Sequence, residues 1–162
     1  MKKLIIWIMV VALGGLSGCN RPNHDYDLVV YGGTPGGFIA AIYAATHGKS
    51  VALIEPTTAV GGILVNGLGV TDIDSQKDFQ NSLAVGGLAR EFYRRVAVYY
   101  GREAAFLDAV ANKKKVREIW PHEPGVAERL IKQWLEEAGV AVFTQTRLSE
   151  AAGSVVKRGN RI

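Results

Sequence analysis

Leu28-Val29-Val30-Tyr31-Gly32-Gly33-Thr34-Pro35-Gly36-Gly37, answered downstream by Val51-Ala52-Leu53-Ile54-Glu55, decides how this chain folds. An apolar run enters a glycine-rich turn, a small-residue helix follows, and a second apolar run ends on an acid. Leu28 to Tyr31 has no alternation of polar and apolar residues, as expected of a parallel strand covered on both faces. Gly32 and Gly37 stand where the first and third glycines of G-x-G-x-x-G belong, but Thr34 occupies the middle position. Gly33 and Gly36 keep the loop backbone bare. Pro35 is suited to a first helical turn, where its missing N–H costs nothing. Amides at such a helix start, with the helix dipole behind them, suit a pyrophosphate. Phe38 to Ala45 continues as an alanine-rich helix able to pack closely on strands, and Gly48 ends it.

Val51 to Ile54 reads as the second strand, with Glu55 at its carboxyl end. An acid there accepts hydrogen bonds from both ribose hydroxyls of an adenine dinucleotide and repels a 2′-phosphate. A glycine turn without a ligand, with Glu55 a surface acid, is the plainer alternative. The combination of strand, turn, helix, strand and terminal acid favours the nucleotide-binding reading.

The run continues as Pro56-Thr57-Thr58-Ala59-Val60-Gly61-Gly62-Ile63-Leu64-Val65-Asn66-Gly67-Leu68-Gly69. An acid followed by a Gly-Gly pair resembles the flavoprotein extension of the dinucleotide fold. The whole stretch is similar to the N-terminal part of the FAD-dependent oxidoreductase family with a glutathione-reductase-type FAD domain. The likeness is strong from Asp27 to about Gly69, and looser through Gly86 to Tyr93 and Glu123 to Glu128. It implies an α/β, Rossmann-like FAD/NAD(P)-binding domain with a parallel sheet, and FAD as cofactor. By position, Gly32, Gly33, Thr34, Pro35, Gly36 and Gly37 would lie at the phosphates and Glu55 at the adenosine ribose. Gly61 and Gly62 would follow the cofactor towards its flavin. An NAD-dependent dehydrogenase differs mainly in the role of that Gly61-Gly62 loop.

Composition agrees with a globular domain: 162 residues, 48% hydrophobic and 21% charged, enough for one domain and short for two. The net charge of +4 is modest. Lys113-Lys114-Lys115 with Arg117 lacks interleaved aromatics, so it reads as a solvated loop, and no nucleic-acid partner is expected.

The N-terminus reads as delivery. Lys2-Lys3 precedes the uncharged stretch Leu4 to Leu16, too short to span a bilayer but right for a signal-peptide core. Leu16-Ser17-Gly18-Cys19 resembles a bacterial lipoprotein signal, with Cys19, the only cysteine, as the lipidated first residue of the mature chain. An ordinary secretory signal is the alternative. The expected organisation is a signal peptide over 1–18, a lipidated tether over 19–26, and the FAD-binding domain over 27–162. The expected address is the bacterial cell envelope, lipid-anchored at the periplasmic face of the outer membrane, since Asn20 resembles the residue that permits such sorting. Disulfides are excluded from the mature chain, which must be stable by packing alone. Lys2-Lys3 is not the twin arginine that marks export of proteins already folded around a cofactor.

Further along, Asp72, Asp74 and Asp78 follow no established metal-ligand spacing and read as turn and cap residues. Leu88, Phe92, Val96 and Tyr99 recur at helical spacing, with Gly101 as a stop. Val126, Leu130, Trp134 and Ala138 line a second helix, where Glu128 and Lys132 are placed to pair and Gly139 caps. Trp134 belongs to the core. Between Pro121 and Pro124, His122 reads as a loop histidine in water, with a substrate-facing acid or base as the sharper alternative. Val140 to Thr144 reads as a third parallel strand. Leu148 to Ala152 and Val155 to Arg158 read as a strand pair or one bulged strand, with Gly159-Asn160 as a turn.

In the usual strand order 3-2-1-4, the first strand would be left as an apolar edge. The expectation is therefore an incomplete FAD-binding domain, the N-terminal portion of an oxidoreductase whose small-molecule substrate half is absent. No catalytic residue is identifiable. A non-catalytic envelope lipoprotein that keeps the nucleotide fold is the alternative of a different class.

Overall fold

The computed structural model describes residues 25–159 together with Arg161 and Ile162. Cys19 and the rest of the signal segment lie outside the described residues. Strand β1 (Leu28–Tyr31) leads through the glycine turn into helix α1 (Pro35–Thr46), which returns to strand β2 (Val51–Ile54). A long connection then carries α2 (Gly87–Tyr99), α3 (Glu103–Ala111) and α4 (Pro124–Glu137) before strand β3 (Ala141–Phe143). The sheet is parallel, in the order β1-β2-β3. Leu28 stands beside Val51 and Tyr31 beside Ile54, while Ala52 to Ile54 align with Ala141 to Phe143. The fold is thus the α/β arrangement with a parallel sheet read from the sequence, and β2 is its centre.

Sequence explains the central layer. Val51, Ala52 and Leu53 are buried, with Phe38 and Ile42 of α1 and Ile131 and Leu135 of α4 among the side chains around them. The stripe Val126, Leu130 and Trp134 of α4 faces the same core, as its helical spacing predicts. Trp134 is core, with the Arg95 guanidinium 4.7 Å from its ring. Arg95 is held in turn by Glu91 and Glu137. Gly48 and Gly139, both at positive φ, end α1 and α4 as expected.

A second, smaller core gathers Ala97, Phe106, Ala109, Ile119 and Trp120. Helix α3 supplies two of these, and sequence periodicity does not reveal it. Glu103 to Ala111 is alanine-rich and apolar nearly all round, with Leu107 left exposed, so no polar face marks the stripe Phe106–Ala109. Its one signal is Glu103 in the first turn, where an acid suits the helix dipole.

Three expectations are corrected. Leu148 to Ala152 and Val155 to Arg158 form no strands. The segment is exposed, and its one bridge joins Arg158 to Arg161. Without a partner on a sheet, apolar residues such as Val155 and Val156 have no ladder to join. Glu128 and Lys132 form no ion pair, and both instead line an opening beside β3. His122 is not in water, being only 6% exposed. Among the described residues no helix is long and apolar enough to cross a membrane.

Candidate cofactor site

The glycine turn sits at the carboxyl end of β1, where the ladder to β2 extends by one bond, Gly32 N–H to Ile54 O at 2.7 Å. Gly32 takes φ +98°, a conformation that favours glycine. Gly37 is obligatory for a different reason, since a Cβ there would overlap the carbonyl oxygen of Gly32. This is the close approach that brings the helix against the strand end. Thr34, at the departure from the glycine pattern, is the helix cap. Its backbone is extended, and its Oγ1 accepts from the Gly37 N–H at 3.3 Å. Pro35 opens the helix, and no atom stands where a Gly36 side chain would project. The amides of Thr34 and Gly36 have no acceptor among the described residues.

Gly33 is the hub. Its N–H donates to Glu55 Oε2 at 2.6 Å, and its carbonyl accepts from the Gly61 N–H at 2.7 Å. Glu55 Oε1 accepts from the Thr57 N–H at 2.7 Å, so the carboxylate bridges the first glycine turn and the loop after β2. At 8% exposure the side chain is buried. Burial pushes its pKa up, but donation from Thr57 and from Gly33 outweighs this, and the carboxyl is held below its ordinary value. Glu55 is therefore an anion at neutral pH.

Gly61 and Gly62 have φ of +133° and +52°. A Cβ on Gly62 would stand 3.3 Å from Thr34 Cα and 3.2 Å from Pro35 Cδ, so the second glycine pair lies on the start of α1. Val60 packs over Gly33, 2.8 Å from where its Cβ would be. The structure therefore brings Gly33, Thr34, Pro35, Glu55, Gly61 and Gly62 into one cluster, while Gly36 faces open space beside it. Two contributors escaped sequence reasoning, the Thr57 amide and the Val60 side chain. Neither belongs to a glycine pattern, although their place between Glu55 and Gly61 is a local signal.

Asp74, expected in a turn or cap, instead ties its loop to a segment eight residues on. Its N–H donates to Asn81 Oδ1 at 2.6 Å, and its Oδ1 accepts from the Ser82 N–H at 3.0 Å. His122 packs edge-on against Phe92 and Tyr93, with ring centroids 5.5 Å and 6.3 Å away. Burial pushes its pKa down, against the carbonyls of Trp120 and Leu64.

Strand, bare turn, capped helix and buried terminal acid define a dinucleotide-binding α/β domain. The family is shown by comparison: residues 27–162 match the FAD dependent oxidoreductase family, and the chain belongs to it. Dihydrolipoyl dehydrogenase from Acholeplasma laidlawii is 50% identical over 44 residues, 27% of this chain and 13% of that protein. Soluble pyridine nucleotide transhydrogenase from Chromohalobacter salexigens is 56% identical over 39 residues, 24% of this chain and 8% of the relative. The matches thus span a small part of either relative. A solved 3-ketosteroid-Δ4-(5α)-dehydrogenase from Rhodococcus jostii RHA1 aligns with a TM-score of 0.41 and 15% identity, covering 82% of this chain and 40% of that one. That likeness is too slight to bear on the site.

Proposed function

We propose that this chain holds FAD in the cradle made by the Gly32–Gly37 turn, Glu55 and the Gly61–Gly62 loop, and that it serves a flavin-dependent oxidoreductase acting on a small organic molecule. The observation that carries this is the double engagement of Gly33, which ties the three sequence-distant pieces together through Glu55 and Gly61. The residues fit the cofactor. The unsatisfied amides of Thr34 and Gly36, at the positive end of α1, offer donors to a pyrophosphate. No side chain occupies the space beside Gly36. Glu55, an anion with further acceptor capacity on each oxygen, is matched to ribose hydroxyls and mismatched to a 2′-phosphate. Bound FAD would supply a two-electron redox centre, and the chain would position it.

The test is thermal. Only a ligand that prefers the folded state raises the melting temperature, and saturation at 100 times Kd corresponds to about 2.7 kcal/mol. FAD is expected to raise it and NAD to leave it unchanged. A rise with NAD alone would transfer the chain to the nicotinamide class, and no rise with either would remove cofactor binding from it.

The address belongs to the same proposal. The Lys2-Lys3 start, the apolar stretch Leu4 to Leu16 and the Ser17-Gly18-Cys19 ending support export and lipidation at Cys19. Cells grown with labelled palmitate should label the chain, and Cys19→Ala should abolish both the label and its recovery with membranes. A labelled Cys19→Ala chain would refute the anchor.

A further inference from the structure

The link Pro121 to Pro124 is clasped to the loop that follows the second glycine pair. The His122 N–H donates to the Gly69 carbonyl at 2.9 Å, and a Cβ on Gly69 would overlap the His122 carbonyl oxygen, so the two backbones are in direct contact. One residue on, the Glu123 N–H donates to the Tyr100 hydroxyl at 3.1 Å and fastens the same link to the end of α2. The His122 side chain is buried, its ring edge-on to Phe92 and Tyr93. Neither ring nitrogen is reached by solvent or has a partner of hydrogen-bond geometry, although the carbonyls of Trp120 and Leu64 approach.

A histidine held this way has no route to a proton while the clasp is closed. A neutral imidazole tolerates an apolar cage, whereas an imidazolium there lacks water and well-placed acceptors. Among the described residues no charged side chain compensates it. Helix α2 presents Phe92 and Tyr93 to the ring, and burial raises the pKa of the Tyr93 phenol, which stays neutral. Residues 64–70 carry no charged side chain. On the link itself Glu123 is exposed, and across the cleft Arg102 is turned to the Tyr100 ring and the Glu118 carbonyl.

We propose that the His122–Gly69 clasp is a proton-operated latch: the link lifts off the loop, the imidazole takes up a proton in water, and residues 64–70 are released. The closed form holds the ring neutral, while the open form protonates at the ordinary histidine pKa of about 6.5. The open population is therefore nearly constant above that pH and rises about tenfold per unit below it, until the closed form itself is protonated. Histidine is the side chain suited to a switch in this range. The released segment begins at Leu64, the last residue of the Gly62–Leu64 turn, and Gly62 lies on the start of α1. The latch thus reaches the loop that carries the second glycine pair. It operates in the chain alone and stands independently of FAD binding.

Amide hydrogen exchange of the ¹⁵N-labelled chain tests it, expressed as protection factors so that the intrinsic pH dependence of exchange cancels. The reporter is the His122 amide, the donor of the clasp. Its protection is expected to fall about twentyfold between pH 7 and pH 5. In His122→Phe, which keeps an apolar ring and cannot titrate, the protection should stay level over the same range. An equal fall in that variant, or a wild-type amide equally protected at pH 7 and pH 5, would overturn the proposal. Side-chain NMR of His122 in the wild-type chain decides even if the variant does not fold. The ring is expected to remain neutral for as long as the clasp amide is protected. A ring that becomes charged near its ordinary pKa while that amide keeps its protection would refute the latch.

Discussion

Strands β1 and β2 are nearly twins in sequence, Leu-Val-Val-Tyr against Val-Ala-Leu-Ile, and they pair residue for residue. Their surroundings differ sharply. Leu53, in the middle of β2, has 0% of its surface exposed, whereas Val29 in β1 has 53%. Among the described residues β2 has a strand on each side, and β1 has one. An apolar run thus specifies a strand, while the number of its neighbours decides what burial that strand receives. For the comparison to hold, truncation in β2 must cost far more than truncation in β1. Leu53→Ala is expected to lose about 2–5 kcal/mol, from lost transfer energy and the cavity left behind. Val29→Ala should lose less than about 1 kcal/mol, since most of its side chain already meets water. Urea unfolding monitored by circular dichroism measures both. Equal losses would mean that β1 is covered in solution.

The two strands also show why sequence reading succeeded where it did. The β-α-β unit is local: apolar runs, glycines and a cap fall within one short stretch, and each signal agrees with the next. Even the position of β1 at the sheet edge follows from the usual strand order. The details of the site were less legible. Glu55 reads from the sequence as a ribose acceptor; the structure adds that it accepts from the Gly33 amide, a contact between residues 22 apart that no spacing rule supplies. The polarity of His122 and its flanking prolines suggest a loop in water, which the structure does not bear out. Its burial comes from Phe92 and Tyr93 on α2, an element distant in sequence. The apolar runs after Leu148 have strand propensity, but strand formation there needs a pairing edge that local propensity cannot provide.

The comparison sharpens at the turn that leaves β1. Gly36 and Gly37 are adjacent, yet a methyl group on each meets opposite conditions. At Gly37 it would overlap the Gly32 carbonyl oxygen, which is backbone and cannot swing away, while at Gly36 it meets nothing. Gly37→Ala is expected to cost about 1–3 kcal/mol through forced backbone shifts. Gly36→Ala should be neutral or stabilising by about 0.5–1 kcal/mol, because alanine suits a helix better than glycine. If the proposed cradle is right, Gly36→Ala should nevertheless weaken FAD binding, by filling space beside the free amides. A variant that is both more stable and equally able to bind FAD would place the phosphates elsewhere.

The last comparison concerns the clip that fastens the exposed strand to the buried one. Glu55, just past the end of β2, holds the Gly33 amide just past the end of β1. Glu55→Gln keeps the shape but turns one accepting oxygen into a donor facing an amide N–H, at a cost of about 1–3 kcal/mol at neutral pH. Its pH dependence carries the diagnostic sign. Because the folded state holds this carboxyl below its ordinary value, the folded chain favours the charged form more than the unfolded chain does. The stabilisation is fully present above the unfolded carboxyl pKa of about 4.3. It is lost as pH falls through the lower folded value. Asp27, Glu91 and Asp108 are held low as well, but they titrate alike in both proteins. The stability difference between wild type and Glu55→Gln therefore isolates the clip. It should be flat from pH 7 to about 5, then shrink steadily on further acidification. A difference that stayed constant below the carboxylate range would show that the two amides hold Glu55 by shape alone, and that its charge does not join the strands.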